Sequence, residues 1–338
     1  MSMLPISLPI SRLPTDPYKR HAQLRDYFCD KDAVAYVQDN RWLLELYWSN
    51  EADRYVDPRL DEGLAWWGPI EYTEMAVARK RRGRLLLTLN DTWTLEGWSQ
   101  WIQKHPGRSH MDVVVLHVDD HRDVGSPRLF QQEKGWYDPI TGKMMGLDQP
   151  DSVTCAIESG ALGMGSFLTP FLHFAPTADV RHLCQAPKCV TTVDSVIQPI
   201  HINDTLLVPS MQRPAIRLVQ DAAGVGSGRY RFTNDLEAWL EGVAHCGKDI
   251  LLHIDMDYFC NRYDGDSDFI ENPGPLSTPL ERVLTHIDEL SGALRRHQLI
   301  KRLVDITVAF SPGFFPAEFW ASTCDRLLIG LGEAPWHD

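Results

Sequence analysis

One apolar run in the sequence ends in a closely spaced set of side chains that can bind metal ions. In VVVLHVDDHRD, residues 113–123, Asp119, His121 and Asp123 are each two positions apart. Residues two apart in a β-strand point to the same face, so Asp119 and His121 would project together where the strand ends. Carboxylates and imidazoles are ligands of divalent cations, and the run therefore predicts a metal site.

A second apolar run, ILLHIDMD at residues 250–257, ends in Asp255 and Asp257. A buried ionised carboxylate is costly unless a positive charge compensates it. Two divalent ions would balance the four aspartates of the two runs. Oxygen-rich ligands with one or two imidazoles favour Mn(II), with Fe(II), Co(II) or Zn(II) as substitutes. Turn caps and surface ion pairs are the alternative roles for these residues.

Strands and helices alternate around these runs. Apolar, β-branched segments predict strands over 33–39, 83–91, 112–119 and 249–255, and a strand that enters a loop over 303–316. Helical spacing predicts helices over 40–50, 95–105, 232–245 (N-cap Asn234) and 278–300 (N-cap Thr278), and 124–155 predicts a long surface loop. The alternation predicts a three-layer α/β fold, in which a mostly parallel sheet has helices on both faces. Ligands of such sheets bind beyond the carboxyl ends of the strands, where both aspartate clusters lie.

Length and composition narrow the class of protein. The 338 residues carry a formal net charge of −13, which disfavours nucleic acid as the main partner. We predict a single domain over 1–338, with 1–30 as an extended lead-in and a Trp-rich N-terminal portion that could help to bind a peptide. No run is long enough to span a membrane, the N-terminus lacks the apolar core of a signal peptide, and no cysteines form a CxxC pair. A cytoplasmic protein with reduced thiols is expected.

Both runs resemble the signatures of a known enzyme superfamily. HVDDHRD resembles the DxHxD signature of the ureohydrolases, which include arginases and agmatinases, and HIDMDYF resembles their second signature, DxD. The segments YFCNRYDGD and ITVAFSPGFFP are similar to a divergent branch that includes the peptide arginases of ribosomal-peptide biosynthesis. The resemblance implies an arginase-like fold and a binuclear manganese hydrolase. Its implied partner is an arginine-containing precursor peptide, whose arginine side chains are hydrolysed to ornithine and urea.

The resemblance also implies a role for each residue of the two runs. Asp119 and Asp255 would bridge the two ions. Asp123 would be a ligand of one ion, and His121 and Asp257 would be ligands of the other.

One ligand of the superfamily has no counterpart in this sequence. The resemblance implies a further histidine on an earlier strand, in a stretch that looks like AYVQDNRWLLELYW, but this stretch contains no histidine. Asp39, Asn40 or His117 could replace it. A buried core histidine or an outer hydrogen-bond donor is the alternative role for His117, and the same applies to His253.

A guanidinium substrate would also need a carboxylate that pairs with it in a bidentate manner. Glu158, Asp264, Asp266 and Glu318 are candidates for this contact or for proton transfer, and surface or capping roles are the alternative. The tryptophans that could stack against a peptide, or belong to the core, are Trp66, Trp67, Trp93, Trp98 and Trp101.

Three other functions remain open at this point. The substrate of a ureohydrolase could be free arginine, agmatine or another small guanidine. A binuclear phosphoesterase would also use two metal ions, because paired ions clamp phosphate oxygens. A peptide-binding relative that has lost a ligand histidine and catalysis is the third.

Overall fold

The structure, a computed structural model, describes residues 5–49, 55–106, 112–220, 228–265 and 277–337. Its strands are β1 (Ile6–Pro9), β2 (Lys31–Gln38), β3 (Arg41–Trp48), β4 (Arg79–Arg82), β5 (Leu85–Thr88), β6 (Val113–Val118), β7 (Phe130–Gln132), β8 (Gly135–Asp138), β9 (Lys143–Met145), β10 (Asp179–Leu183), β11 (Val193–Asn203), β12 (Gln212–Gln220), β13 (Arg229–Thr233), β14 (Asp249–Asp255) and β15 (Leu303–Ala309). Its α-helices are α1 (Pro17–Phe28), α2 (Leu60–Trp67), α3 (Trp93–Lys104), α4 (Pro150–Ser159), α5 (Leu168–Phe174), α6 (Leu236–Leu240), α7 (Leu280–Arg296) and α8 (Trp320–Gly330).

A nine-stranded mixed sheet forms the centre of the protein, in the order β12-β11-β13-β10-β6-β14-β15-β5-β4. The strands from β13 to β5 in this order are parallel, whereas β4 at one edge and β11 and β12 at the other are antiparallel to their neighbours. The predicted α/β class and mostly parallel sheet are therefore confirmed. Because β6 and β14 are parallel neighbours, the residues that follow them meet at one edge of the sheet.

Both faces of the sheet are covered by helices. Along β6, Val113 and Val115 belong to a core cluster that also contains side chains of α1, α3, α4 and α5. Val114 and Leu116 belong to a second cluster, which contains side chains of α2, α6, α7 and α8. A strand buried on both faces needs apolar residues at consecutive positions, which explains the uninterrupted run in the sequence.

Two small sheets lie beside the large one. The order β1-β3-β2 forms an antiparallel sheet near the N-terminus, and β7-β8-β9 forms another within 130–145. The predicted loop over 124–155 is thus wrong in part, since it contains three strands and the first six residues of α4. The predicted extended lead-in over 1–30 also needs correction, because its described part contains β1 and α1, whose Leu24 and Phe28 are buried.

The predicted helix over 40–50 is wrong, because Arg41–Trp48 is a strand. The reason is the turn before it. Asp39 and Asn40 have positive φ values of 50° and 59°, and a two-residue turn of this kind joins antiparallel strands into a hairpin. The apolar spacing of the segment suits both a helix and a strand whose outer face also carries apolar residues.

The other predicted strands and helices are confirmed in position, with corrections at both ends of two helices: α6 covers only Leu236–Leu240 of the predicted 232–245, and α7 ends at Arg296 instead of residue 300. Residues 232 and 233 belong to β13, and the short α6 is capped by Asp235, whose carboxylate accepts a hydrogen bond from Ala238 N at 2.8 Å, instead of by Asn234. Helix α7 starts at Leu280, so its N-cap position is Pro279 and not Thr278. No helix in the described ranges is both long and apolar enough to cross a membrane.

The close packing of α2 on α8 gives a test of the fold. A Cβ added to Gly63 would lie 2.6 Å from Trp320 Cε3 and 2.7 Å from Ala317 Cβ, so Gly63→Ala should cost about 1–3 kcal/mol of unfolding free energy. Gly292 in α7 is the matched control, because its added Cβ would meet only an arginine side chain at 3.6 Å. Gly292→Ala should stabilise the protein by up to about 1 kcal/mol. Thermal unfolding of both variants measures this, and equal melting temperatures would contradict the described packing.

Candidate metal centre

The centre is built where β6 and β14 end. In the register of these strands His117 lies opposite His253, and both side chains are fully buried. After β6 the chain continues through Asp119, whose backbone N–H donates to Leu183 O at 3.1 Å. The sheet therefore fixes the backbone on which the aspartates and histidines stand.

The first group of possible ligands contains His117, Asp119, Asp123 and His253, all buried, with donor atoms within 4.8 Å of one another. The His253 Nε2 atom lies 3.3 Å from Asp119 Oδ2, and the His117 Nε2 atom lies 3.7 Å from Asp123 Oδ2. A cation placed among these atoms would have two imidazole and two carboxylate ligands. This group can hold a metal ion.

The second group contains Asp119, His121 and Asp257. His121 Nδ1 lies 2.9 Å from Asp257 Oδ2 and 3.6 Å from Asp119 Oδ1. Asp119 thus belongs to both groups, with Oδ2 directed to the first and Oδ1 to the second. A carboxylate in this position is suited to bridge two ions.

A third grouping, of Asp120, His121 and Asp264, lies at the surface side of the second. Its carboxylates already have partners within the protein. Lys188 Nζ lies 2.6 Å from Asp120 Oδ2, and the Asn261 amide donates to Asp120 at 2.7 Å and to Asp264 at 2.8 Å. We interpret this grouping as an ion-pair network at the mouth of the centre.

Asp255 lies in neither of the first two groups, although the sequence predicts it as a bridging ligand. Its Oδ2 atom accepts a hydrogen bond from Ser311 Oγ at 2.6 Å, and its Oδ1 atom accepts one from Asp257 N at 3.2 Å. It nevertheless lines the same cavity as Asp123 and Asp257. Its role as a bridge stays a prediction.

Burial and mutual repulsion dominate the electrostatics of the carboxylates. Burial, followed by the charges of neighbouring aspartates, raises the pKa of Asp119, Asp123 and Asp255 well above the ordinary value. Burial lowers the pKa of His121, but the charge of Asp257 and the hydrogen bonds around it raise that pKa overall. Without a cation, the centre therefore keeps protons that a pair of divalent ions would displace.

The imidazoles of the first group are suited to ligation because they are neutral. Burial lowers the pKa of His117, and burial followed by the charge of His182 lowers that of His253 to about 3. Thr94 Oγ1 lies 2.9 Å from His253 Nδ1 and fixes the ring with Nε2 toward Asp119. His253 is the better oriented of the two, since His117 Nε2 also lies 3.1 Å from the carbonyl oxygen of His121.

One unpaired atom tests whether a cation fits this donor set. Asp123 Oδ2 is buried and has no hydrogen-bond partner among the described residues. Burial of a carboxylate oxygen without a partner costs free energy, and this oxygen would become a ligand of a cation bound in the first group. The donor set, carboxylate oxygens with imidazole nitrogens, suits Mn(II) and also the other first-row ions predicted above.

A cavity of about 510 Å³ opens over the centre. Its acidic lining consists of Asp91, Asp123, Asp255 and Asp257, and Phe314 is among its apolar residues. Asp91 is a site residue that was not predicted from the sequence. The available signal was its position at the carboxyl end of β5, a parallel strand two places from β14 in the sheet.

Other predicted site residues lie away from this cavity. Asp39 and Asn40 are exposed in the β2–β3 turn, and Asp39 belongs to no group of possible metal ligands in the described ranges, so the structure does not bring them into the groups described above. The geometry of the hairpin turn, which faces solvent, is the reason. His117 and His253, in contrast, are both brought into the first group.

The predicted partners of a guanidinium also have other contacts. Glu318 is paired with Arg262 at 2.6 Å and with Arg59 at 3.6 Å, and Glu158 does not line the cavity. Asp264 lies at the mouth, and Asp266 lies outside the described residues. Trp93, Trp98, Trp101 and Trp67 are core residues, which leaves them unavailable for stacking on a peptide.

Two of the groups of possible metal ligands therefore share Asp119 and lie beside one acidic cavity. Comparison with known proteins identifies no matching protein-family model, and no curated protein shows significant similarity to the chain.

Metal stoichiometry tests the sharing of Asp119. We expect about two equivalents of Mn(II) per chain after loading and desalting, measured by inductively coupled plasma mass spectrometry. Asp119→Asn should reduce both occupancies, whereas His253→Gln should reduce only the first. Asp138→Asn replaces an equally buried aspartate that is paired within its own turn and serves as the control. Unchanged stoichiometry in Asp119→Asn would contradict the two groups.

The stability of the metal-free protein should fall as pH rises from about 5 to about 7.5. Burial raises the pKa of Asp91 from 3.8 to about 7, so in this window the folded protein holds a proton that the unfolded chain has released. Raising the pH therefore favours unfolding, with a melting-temperature shift on the order of 5 °C. Manganese should reverse the trend, because ligands then no longer bind protons. A metal-free melting temperature that rises through this window would contradict the interpretation.

Proposed function

We propose that this protein is a binuclear metal-dependent hydrolase of the guanidinium group of arginine side chains in a peptide, with ornithine and urea as products. The observation that carries the proposal is Asp119, whose two oxygens face two separate groups of metal ligands under one cavity. The resemblance of both aspartate runs to ureohydrolase signatures, and their location on neighbouring parallel strands, support an arginase-like fold and Mn(II) as the metal.

Charge supports a cationic substrate. The aspartates at 119, 123, 255 and 257 would be balanced by two divalent cations. Asp91 adds a further carboxylate, which lines the cavity beside Asp123, Asp255 and Asp257, and in its ionised form it would attract a positive group. A guanidinium is a planar cation that pairs with carboxylates through two parallel hydrogen bonds. A phosphoester, in contrast, would bring additional negative charge toward Asp91.

The reaction consumes one water molecule. The two cations, when bound, lower the pKa of a coordinated water and so supply a nucleophile at neutral pH. Oxygen from water becomes bonded to the guanidinium carbon, and the bond from that carbon to the side-chain nitrogen breaks. The nitrogen leaves as the ammonium of ornithine and the carbon leaves as urea, which balances atoms and charge. The carboxylates of the cavity hold the guanidinium over the centre during this step.

A peptide is the favoured substrate because of the resemblance to the peptide arginases. A cavity of about 510 Å³ lies within the usual range for small-molecule sites and is large enough for an arginine side chain. Free arginine and agmatine carry the same reacting group, so they are the alternatives within this class.

Urea release is the test. Manganese-loaded protein would be incubated with arginine-containing peptides, free arginine and agmatine, with mass spectrometry to detect ornithine in the peptides. We expect urea from the peptides, and a loss of more than about 100-fold in Asp119→Asn, because a direct ligand matters more than an outer partner. Asp138→Asn should retain activity.

Each other outcome has a defined meaning. Urea from free arginine or agmatine alone would replace the peptide by a small guanidine. No urea from any guanidine, with two bound metal ions, would exclude the proposal and favour a phosphoesterase. Less than half an equivalent of metal would favour the non-catalytic relative.

A further inference from the structure

A second cavity adjoins the acidic one and has the opposite charge. It has a volume of about 250 Å³ and is lined by Arg122 and Lys188, together with polar groups such as Thr191 and Ser195. No carboxylate is found among the described residues that line it. Arg122 lines both cavities, so the acidic and the basic cavity meet at this side chain.

Arg122 carries the unpaired positive charge of the basic cavity. Lys188 is engaged by Asp120 at 2.6 Å and by Asp264 at 3.6 Å. Arg122 is exposed and forms no ion pair with any carboxylate within the described part of the chain. Its guanidinium lies over the Phe232 ring, with Cζ 4.9 Å from the ring centroid. A planar cation that rests on an aromatic ring keeps its N–H edge free for an anion.

The position of Arg122 is determined by its two neighbours in the chain. It lies between His121 and Asp123 in the chain, and the backbone turns at Asp123, whose φ is 54°. Asp123 is directed into the buried first group, while Arg122 is exposed beside it. A molecule whose guanidinium lies over the carboxylates would therefore have the Arg122 side chain in the lining of the same cavity, at the side where the basic cavity begins.

We propose that Arg122 binds a carboxylate of the substrate in the basic cavity, so that the enzyme selects molecules that carry a guanidinium and a carboxylate a short distance apart. This inference rests on the proposed guanidine hydrolysis. An arginine side chain binds carboxylates in bidentate geometry, which suits the planar anion. Two sources supply this chemistry: the α-carboxylate of an arginine, and an aspartate or glutamate next to an arginine in a peptide.

Pairs of substrates that differ only in the carboxylate test the inference. Arginine and agmatine have the same guanidinium, but agmatine lacks the carboxylate. Peptides in which arginine is followed by glutamate or by glutamine form the second pair. Urea release is measured with manganese-loaded wild type. In at least one pair, kcat/KM should be about tenfold or more higher for the substrate that carries the carboxylate, which corresponds to about 1.4 kcal/mol of binding free energy.

Variants of Arg122 test whether this side chain causes the preference for a carboxylate, as opposed to a general loss of activity. Arg122→Gln should reduce the ratio to near one, and Arg122→Lys, which keeps the charge without the planar fork, should retain part of it. The ratio is the readout because any change in metal occupancy affects both members of a pair. Arg217→Gln is the matched control: Arg217 is an exposed arginine of β12 outside the cavity lining, next to Leu218, which belongs to it. This control should leave the ratio unchanged.

The outcomes separate the two proposals. Preference for arginine over agmatine, or for glutamate over glutamine peptides, supports the inference and identifies the source of the carboxylate. Urea from all substrates with a ratio near one in wild type, or an unchanged ratio in Arg122→Gln, overturns the inference and leaves the hydrolase intact. No urea from any guanidine overturns both.

Discussion

The repulsion among buried carboxylates at the ends of β6 and β14 is the constraint on which the rest of the structure depends. Asp119, Asp123 and Asp255 are buried, and burial together with the charges of neighbouring aspartates raises the pKa of each. Such a cluster persists only if protons or cations neutralise it. Two divalent ions, if bound as proposed, would meet this requirement and would also supply Lewis acidity. In the proposed function, the same ions would therefore balance the carboxylates and activate water.

The surrounding structure is arranged to hold this cluster in place. Buried apolar side chains on both faces of the sheet fix the strands, and the loops beyond them are tied by specific hydrogen bonds. Ser311 binds Asp255, Thr94 binds His253, and His182 Nε2 lies 2.9 Å from the carbonyl oxygen of Asp119. Thr94 lies in α3, His182 lies in β10, and Ser311 follows the end of β15 by two residues. Each orients one member of the cluster, so the positions of the possible ligands are determined by the fold and not by the loops alone.

The sequence alone predicts the parts of this structure that depend on local pattern. Uninterrupted apolar runs identify β6 and β14, and the two-residue spacing after them identifies the aspartates, because both follow from strand geometry. Asp91 and the pairing of His117 with His253 could not be predicted in this way, since they depend on strand order. The helix expected at Arg41–Trp48 failed for a related reason: pairing with β2 determines the conformation of a segment whose apolar spacing permits either form.

The hydrogen bonds that complete the centre join segments far apart in the chain. Thr94 and His253 are separated by 159 positions, and Ser311, which binds Asp255, donates its backbone N–H to Leu89 O. Contacts of this range form only when the whole sheet is assembled. If the centre binds metal ions, as proposed, its full set of donor atoms is therefore in place only after these distant segments have met. Binding of ions at that stage would release the protons that the buried carboxyl groups carry in the metal-free protein.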